Sequence, residues 1–306
     1  MEKIVKCPNC GSSDLVEKYM TKDRHYGNAG NFRLDVCRSC KLVFMNPMLN
    51  DIELSNYYPE ESYYAYHEEI IVKRKQRGAI KRLVSKIIFG SDKLDKLENP
   101  GKILDIGCGN GWVLYKYKKA GWQVAGVEPS KIATELGNKA GLNIFNGTLL
   151  QAKFKNDEFD FIRSNHSFEH IYNPNETLSE IYRILKPNGE LLIGVPNIAG
   201  LNSKLAGKYW FYLGAPVHTF NYSPKNLKMM LTKHGFEVSK VRYVGGANGI
   251  LGSIQIYLNR NTGRPSSEGK IIKSRALQIL AVLVGRVQNL FHIGDCMEVI
   301  AKKKIA

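Results

Sequence analysis

At 306 residues, with 43% apolar and 24% charged side chains, the chain has the composition of a soluble globular protein with room for one large domain and a small one, which excludes a disordered or fibrous chain. No secretory pattern opens it and no apolar run is long enough to cross a bilayer, so the expected compartment is cytoplasmic and reducing, where paired cysteines favour metal over disulfide. The net charge of +16 is uneven: residues 199–306 carry 16 basic and 4 acidic side chains, which points to an anionic partner there (a phosphorylated substrate, a lipid surface or a nucleic acid) or to a solubilising surface.

Cys7-Pro-Asn-Cys10 and Cys37-Arg-Ser-Cys40 are two C-x-x-C knuckles, 26 residues apart. Between them LVEKYM and FRLDVC read as strands joined by a loop around Gly27-Asn28-Ala29-Gly30. The four thiolates close a tetrahedral Zn(II) site with no open position, so the predicted metal is structural and residues 1–48 form a zinc ribbon. Gly11 follows the first knuckle. Lys41 stands where a glycine commonly follows the second, and its side chain strains that turn modestly. Cys108 and Cys296 sit in apolar strand contexts and read as core.

Residues 49–98 read as a helical linker. It carries a tyrosine cluster at Tyr57, Tyr58, Tyr63, Tyr64 and Tyr66, then a basic helix through Lys73, Arg74, Lys81 and Arg82. The tyrosines either pack the linker onto the main domain or line a substrate mouth. Asn99-Pro100-Gly101 breaks the helix.

KILDIGCGNG, residues 102–111, is the centre of the larger domain. Ile103 to Ile106 read as a buried parallel strand, and Gly107, Gly109 and Gly111 let backbone come close to a ligand. A helix pattern from Trp112 to Lys118 comes next, then an apolar strand from Gln123 to Val127 that ends in Glu128. A carboxylate at that tip can accept both hydroxyls of a ribose. The glycine spacing is not the G-x-G-x-x-G of a dinucleotide site, and no phosphate loop occurs, so the expected ligand is a nucleoside without a pyrophosphate. The alternation continues with a helix over 130–140 capped by Ser130, strands over 143–145 and 159–163, a helix over 176–185, a strand over 190–195, a helix over 224–234 and strands over 236–244 and 296–301. The expected fold is α/β: a Rossmann-like doubly wound seven-stranded sheet over 99–306 with a helical insertion at 245–293. The insertion helix, 271–291, is apolar except for Arg275, Gln278, Arg286 and Asn289. Such a helix is buried in the core, buried in a dimer, or sunk in a membrane surface, where Lys270, Lys273 and Arg275 suit anionic headgroups.

ILDIGCGNG with VAGVEPS, FDFIRSNHSFEHIYNP, LKPNGELLIGVPN and HTFNYSPKNLKMMLTKHGFEV resembles the motifs of class I S-adenosylmethionine-dependent methyltransferases over roughly 99–244 and 294–304. CRSCKLVFMNP resembles the zinc-ribbon lead of many bacterial and archaeal members. The resemblance implies six parallel strands and a last antiparallel one, with S-adenosylmethionine as cofactor. By it, Asp105 orients the glycine loop and the methionine amino group, and Gly107, Cys108, Gly109 and Gly111 bring backbone against methionine and ribose. Glu128 takes the ribose hydroxyls, Pro129 and Ser130 flank the adenine, and Thr148 and Leu149 cover its edge, with Thr148 standing where the family often has an aspartate. Asn165 and His166 border the sulfonium.

Methyl transfer needs alignment and, for a hydroxyl acceptor, a base. His166, His170 and His218 are the candidates. His166 and His170, four apart, would share a helix face beside Glu169, with no third metal ligand evident; His170 reads equally as a residue that fixes the loop. His218 is the first choice, beside Tyr209-Trp210-Phe211-Tyr212. The implied enzyme methylates a small or saccharide-containing acceptor, nucleotide- or lipid-linked, with peripheral contact to an anionic membrane. An rRNA or tRNA methyltransferase and a non-catalytic scaffold are the alternatives. SNHSFEH in place of [DN]-P-P-[FY] weighs against the first, and intact DIGCGNG with Glu128 against the second.

Overall fold

Two sheets organise the chain, whose computed structural model describes residues 2–57, 100–262, 265 and 269–304. Most of the predicted linker, with Tyr58, Tyr63, Tyr64, Tyr66 and the basic helix, lies outside the described residues. Tyr57 is described, and its ring meets Phe32 edge-on at 5.5 Å.

The large sheet has seven strands: β4 (Lys102–Ile106), β5 (Gln123–Glu128), β6 (Ile144–Asn146), β7 (Phe159–Asn165), β8 (Leu185–Pro196), β10 (Phe236–Val244) and β11 (Cys296–Lys303). Their order is β10-β11-β8-β7-β4-β5-β6, with β11 antiparallel to both neighbours and β4 to β8 parallel. This is the Rossmann-like sheet that the sequence predicts. Ile103 and Leu104 are fully buried because helices cover both faces, which is why β4 reads as a continuous apolar run. The chain moves outward from β4 to β6, then returns to β7 on the other side. That reversal opens a crevice beyond the carboxyl ends of β4 and β5.

Local chemistry sets most boundaries. Ser130 caps Lys131–Lys139 by accepting from the Ala133 amide at 3.3 Å. The helix predicted over 176–185 runs Pro174–Ile184, with proline in its first turn. The Lys186 to Gly189 stretch between that helix and the strand predicted over 190–195 lies inside β8: the ladder passes from Leu185 opposite Phe159 to Glu190 opposite Phe161, so the intervening residues bulge. The insertion is richer than predicted. It opens with a helix, Ala247–Leu258, and the single helix expected over 271–291 is broken at Ser274 into Lys270–Lys273 and Arg275–Leu290.

The second sheet joins the ribbon to the domain. β1 (Leu15–Thr21), β2 (Phe32–Cys37) and β3 (Val43–Met45) are antiparallel, and β9 (Phe220–Asn221) adds a fourth strand, Phe44 opposite Phe220. Leu42, Phe44 and Met48 share one core with Phe220, Tyr222 and Leu227. Asn9 Nδ2 donates to the Asn226 carbonyl at 3.0 Å, and Asn175 Nδ2 to the Pro8 carbonyl at 2.9 Å.

Candidate functional site

Past Ile106 the chain turns through Gly107, Gly109 and Gly111 at φ of 70°, 56° and 77°, where most side chains are excluded. Gly107 has a second constraint, since a Cβ there would stand 2.4 Å from Ser167 Cβ. The Gly107 and Cys108 amides donate to the Val127 carbonyl at 2.8 and 3.2 Å. Glu128 closes the loop: one carboxylate oxygen accepts from the Gly109 amide and the other from the Ser130 amide, each at 2.9 Å. Burial raises the Glu128 carboxyl, against the lowering effect of those amides. Each oxygen retains a second lone pair, which is what a pair of ribose hydroxyls requires.

Asp105 is 2% exposed and turned to the neighbouring strand, where Arg163 Nη1 donates to both its oxygens at 3.1 and 2.9 Å. Burial raises the Asp105 carboxyl despite this partner. Sequence reading missed Arg163; the signal is its place opposite Asp105 in the β4–β7 ladder, visible only once the register is known. Cys108 packs beneath the loop, its sulfur 2.6 Å from where a Gly126 Cβ would stand, and burial pushes its thiol well up. Asn165 fills the space that a Gly194 Cβ would take.

A cavity of about 460 Å³ opens beside these strand ends, within the range of small-molecule sites. Its lining includes Glu128, Pro129, Ser130, Thr148 and Leu149 on the cofactor-loop side and His166, His170 and Tyr172 from the loop after β7, with Gly107 and Ser167 meeting between them. Leu54, from the helix after the ribbon, contributes to the wall.

In the histidine loop, Ser167 Oγ donates to the Ile106 carbonyl at 2.6 Å and lies 2.6 Å from Ser164 Oγ, pinning the loop across the end of β4. A small polar loop residue carries no sequence signal for this. His166 is held at φ 54°, and only Phe168–His170 forms a 3-10 turn, so the shared helix face expected for His166 and His170 does not form. The residues converge by another route. Glu169 is 1% exposed, with no hydrogen-bond donor on either carboxylate oxygen among the described residues, and His166 Nδ1 stands 3.5 Å from it. The ligating atoms of Glu169, His170 and His218 lie within 4.8 Å of one another. The rings of His170 and His218 meet edge to face at 4.7 Å. Their Nδ1 atoms lie 2.8 Å from the Val217 and Tyr212 carbonyls. A carbonyl only accepts, so Nδ1 carries hydrogen in both rings and Nε2 is the basic nitrogen when they are neutral.

Burial acts to raise the Glu169 carboxyl, but His166, then His170 and His218, outweigh it and hold it at about 2. Burial acts to lower His166, and Glu169 outweighs that too, raising the imidazole above 6.5. Burial drives His218 down to about 3, with His170 adding to the effect. His166 has 38% of its side chain accessible, toward the cavity. The arrangement can therefore hold a proton on a cavity-facing imidazole backed by a carboxylate. Of the predicted aromatic cluster, Trp210 is 1% exposed and donates to Asp295 Oδ1 at 2.9 Å, so it serves the fold. Tyr212 faces the site, stacked with His166 at 6.3 Å.

The four knuckle thiols lie within 4.8 Å of one another, with Cys7–Cys40 and Cys10–Cys37 sulfurs at 3.5 Å. A tetrahedron of about 2.3 Å Zn–S bonds has sulfur–sulfur edges near ~3.8 Å, so the donor set fits zinc, and the spacing is too long for a disulfide. Both knuckle turns close alike. The Gly11 amide donates to the Cys7 carbonyl and the Lys41 amide to the Cys37 carbonyl, at φ of 76° and 63°. Lys41 thus occupies the glycine conformation its position predicts.

A model of the methyltransferase domain matches residues 72–241, more than half of the chain. The chain is 28% identical over 138 residues to an uncharacterised protein of Methanocaldococcus jannaschii, covering 45% of this chain and 58% of that protein. It is 27% identical over 177 residues to a ubiquinone biosynthesis O-methyltransferase of Rickettsia canadensis, covering 52% and 71%. A solved SAM dependent methyltransferase from Archaeoglobus fulgidus is 20% identical, with a TM-score of 0.48 over 73% of this chain and 99% of that one. The chain spans 58% and 39% of the first two curated relatives it matches.

Proposed function

The chain belongs to the methyltransferase-domain family, among the class I S-adenosylmethionine-dependent methyltransferases, and from that premise we propose that it methylates a hydroxyl oxygen of a small or saccharide-containing acceptor, free or carried on a nucleotide or lipid. The observation that carries this reading is one cavity lined both by the Glu128 carboxylate and by His166, whose imidazole is backed by Glu169. O-methyltransferases acting in ubiquinone biosynthesis and on malonyl-[acyl-carrier protein] are among its relatives, which supports an oxygen acceptor.

Glu128 holds the ribose hydroxyls, and the Gly107 backbone lies against the methionine portion. Pro129, Ser130, Thr148 and Leu149 take the adenine end. Asp105, fixed by Arg163, stiffens the strand beneath the glycine turn. S-adenosylmethionine, when bound, supplies a methyl carbon already activated by positive sulfur. His166 accepts the acceptor's hydroxyl proton, and Glu169 stabilises the imidazolium that results. His170 and His218 position Glu169 and close the acceptor wall. Cys7, Cys10, Cys37 and Cys40 hold a structural zinc.

The test is transfer of labelled methyl from S-adenosylmethionine to fractionated metabolites, lipids and RNA. Label in a hydroxyl-bearing small molecule or glycolipid fraction is expected, with His166→Gln much slower. Label confined to RNA, with strongly salt-dependent RNA binding, would replace this reading with the nucleic-acid one. Absence of S-adenosylmethionine binding would leave only a scaffold.

A further inference from the structure

The helices of the insertion pack on one another and on the helix Leu201–Ala206, and the outer side of this layer is apolar. In Arg275–Leu290 the inward residues are Ala281, Val282, Gly285 and Gln288. The opposite side carries Leu280, Leu283, Val287 and Leu290, exposed at 58, 52, 52 and 78%, followed by Phe291 at 72%. Their spacing keeps them on one face. Leu205, at 76%, and Tyr257 and Leu258, at 50 and 51%, are exposed on the two helices of the same layer. Apolar side chains exposed along one helix face in this way mark an interaction site.

The segments that form this layer are cationic. Lys204, Lys208, Arg260, Lys270, Lys273 and Arg275 are all exposed. Residues 245–293 hold six basic side chains and one acidic one. The Arg260 guanidinium lies 4.2 Å above the Tyr257 ring, covering apolar surface while its charge stays at the edge.

We infer that this face docks on an anionic lipid surface, with Arg275–Leu290 lying in the plane of the interface. Its leucines and Phe291 enter the acyl boundary, and the flanking lysines and arginines meet lipid phosphates. A second copy of the chain is the competing occupant, but a two-fold contact would set these cationic segments against their own copies, whereas anionic headgroups neutralise them. No helix among the described residues is long and apolar enough to cross a membrane, so the contact is peripheral. The inference does not depend on which acceptor the cavity takes.

Sedimentation of the full chain with phosphatidylcholine vesicles, with and without phosphatidylglycerol, tests it. Binding is expected only with phosphatidylglycerol, and high salt should reverse it. Lys270→Gln, Lys273→Gln and Arg275→Gln together should weaken binding on the order of 100-fold. Leu283→Gln, Val287→Gln and Leu290→Gln together should abolish it while the circular dichroism spectrum and S-adenosylmethionine affinity stay unchanged, because these side chains are already exposed. No binding at low salt, or binding that survives the apolar substitutions, overturns the proposal. So does a dimer, seen by analytical ultracentrifugation, that those substitutions dissolve.

Discussion

A carboxylate buried as deeply as Glu169 stays ionised only if positive charge is close, and the nearest source facing the cavity is His166. The same coupling raises His166, and a base works only when deprotonated. Activity should therefore climb with pH through a value above 6.5. Glu169→Gln removes the stabilising charge, so the acid limb of kcat/KM should move to lower pH. An unmoved limb would detach Glu169 from the base. Turnover of His166→Gln at saturating cofactor should fall on the order of 10²–10⁴-fold. Full activity there, with loss in His218→Ala, would return the base to the residue first favoured from sequence. Activity lost to a chelator with zinc retained would instead make Glu169, His170 and His218 metal ligands. On the cofactor-loop side of the cavity, Glu128→Ala should weaken S-adenosylmethionine binding in calorimetry, with about 1.5–3 kcal/mol per charge-assisted bond as an upper guide. Equal affinity would refute the ribose assignment.

β9 is a two-residue element with a disproportionate role. It follows His218 and Thr219 directly and pairs with β3 of the ribbon, so the ribbon's geometry fixes one wall of the histidine cluster. Thr219 Oγ1 also donates to the Glu169 carbonyl at 3.0 Å. Elemental analysis should find about one zinc per chain, and Cys37→Ser should lose it. The acceptor KM should then rise more than the cofactor Kd, because the glycine loop is held by β4 and β5 instead. A metal-free protein with freely titrating thiols would end the zinc assignment. Lys41→Gly relieves a side chain at φ 63° and should raise the melting temperature, by at most about 1 kcal/mol of stability, since glycine also loosens the unfolded chain.

At the scale of the molecule, one buried polar network ties the insertion to the sheet. Asp295 accepts from Trp210 Nε1 at 2.9 Å and from Asn202 Nδ2 at 2.7 Å, and Asn202 in turn donates to Gln288 of the helix Arg275–Leu290 at 3.0 Å. Asp295→Ala orphans two buried donors and should cost roughly 1–3 kcal/mol for each, read as a lowered midpoint in urea unfolding. A shift under half a kilocalorie, on the order of an ordinary surface change, would show that water replaces the carboxylate.

The strand β4, the glycine turn, Glu128 at the tip of β5 and the four paired thiols were all written in local sequence, because each depends on chemistry within a few residues: an apolar run, a positive φ, a terminal carboxylate, a paired-cysteine spacing. Even Lys41 announced its turn. Arg163, Ser167 and β9 were not legible, since each acquires its role from a partner far along the chain, and nothing in a serine or a two-residue strand names that partner. The histidines show the division most clearly. Sequence placed His166 and His170 on one helix face and favoured His218. The fold holds His166 in a left-handed turn open to the cavity and sets His218 deeper, where burial lowers its basicity. The sequence supplied the candidate histidines; which of them stands open to the cavity beside a buried carboxylate was decided by burial and by the placement of Glu169, and only the tertiary structure supplies those.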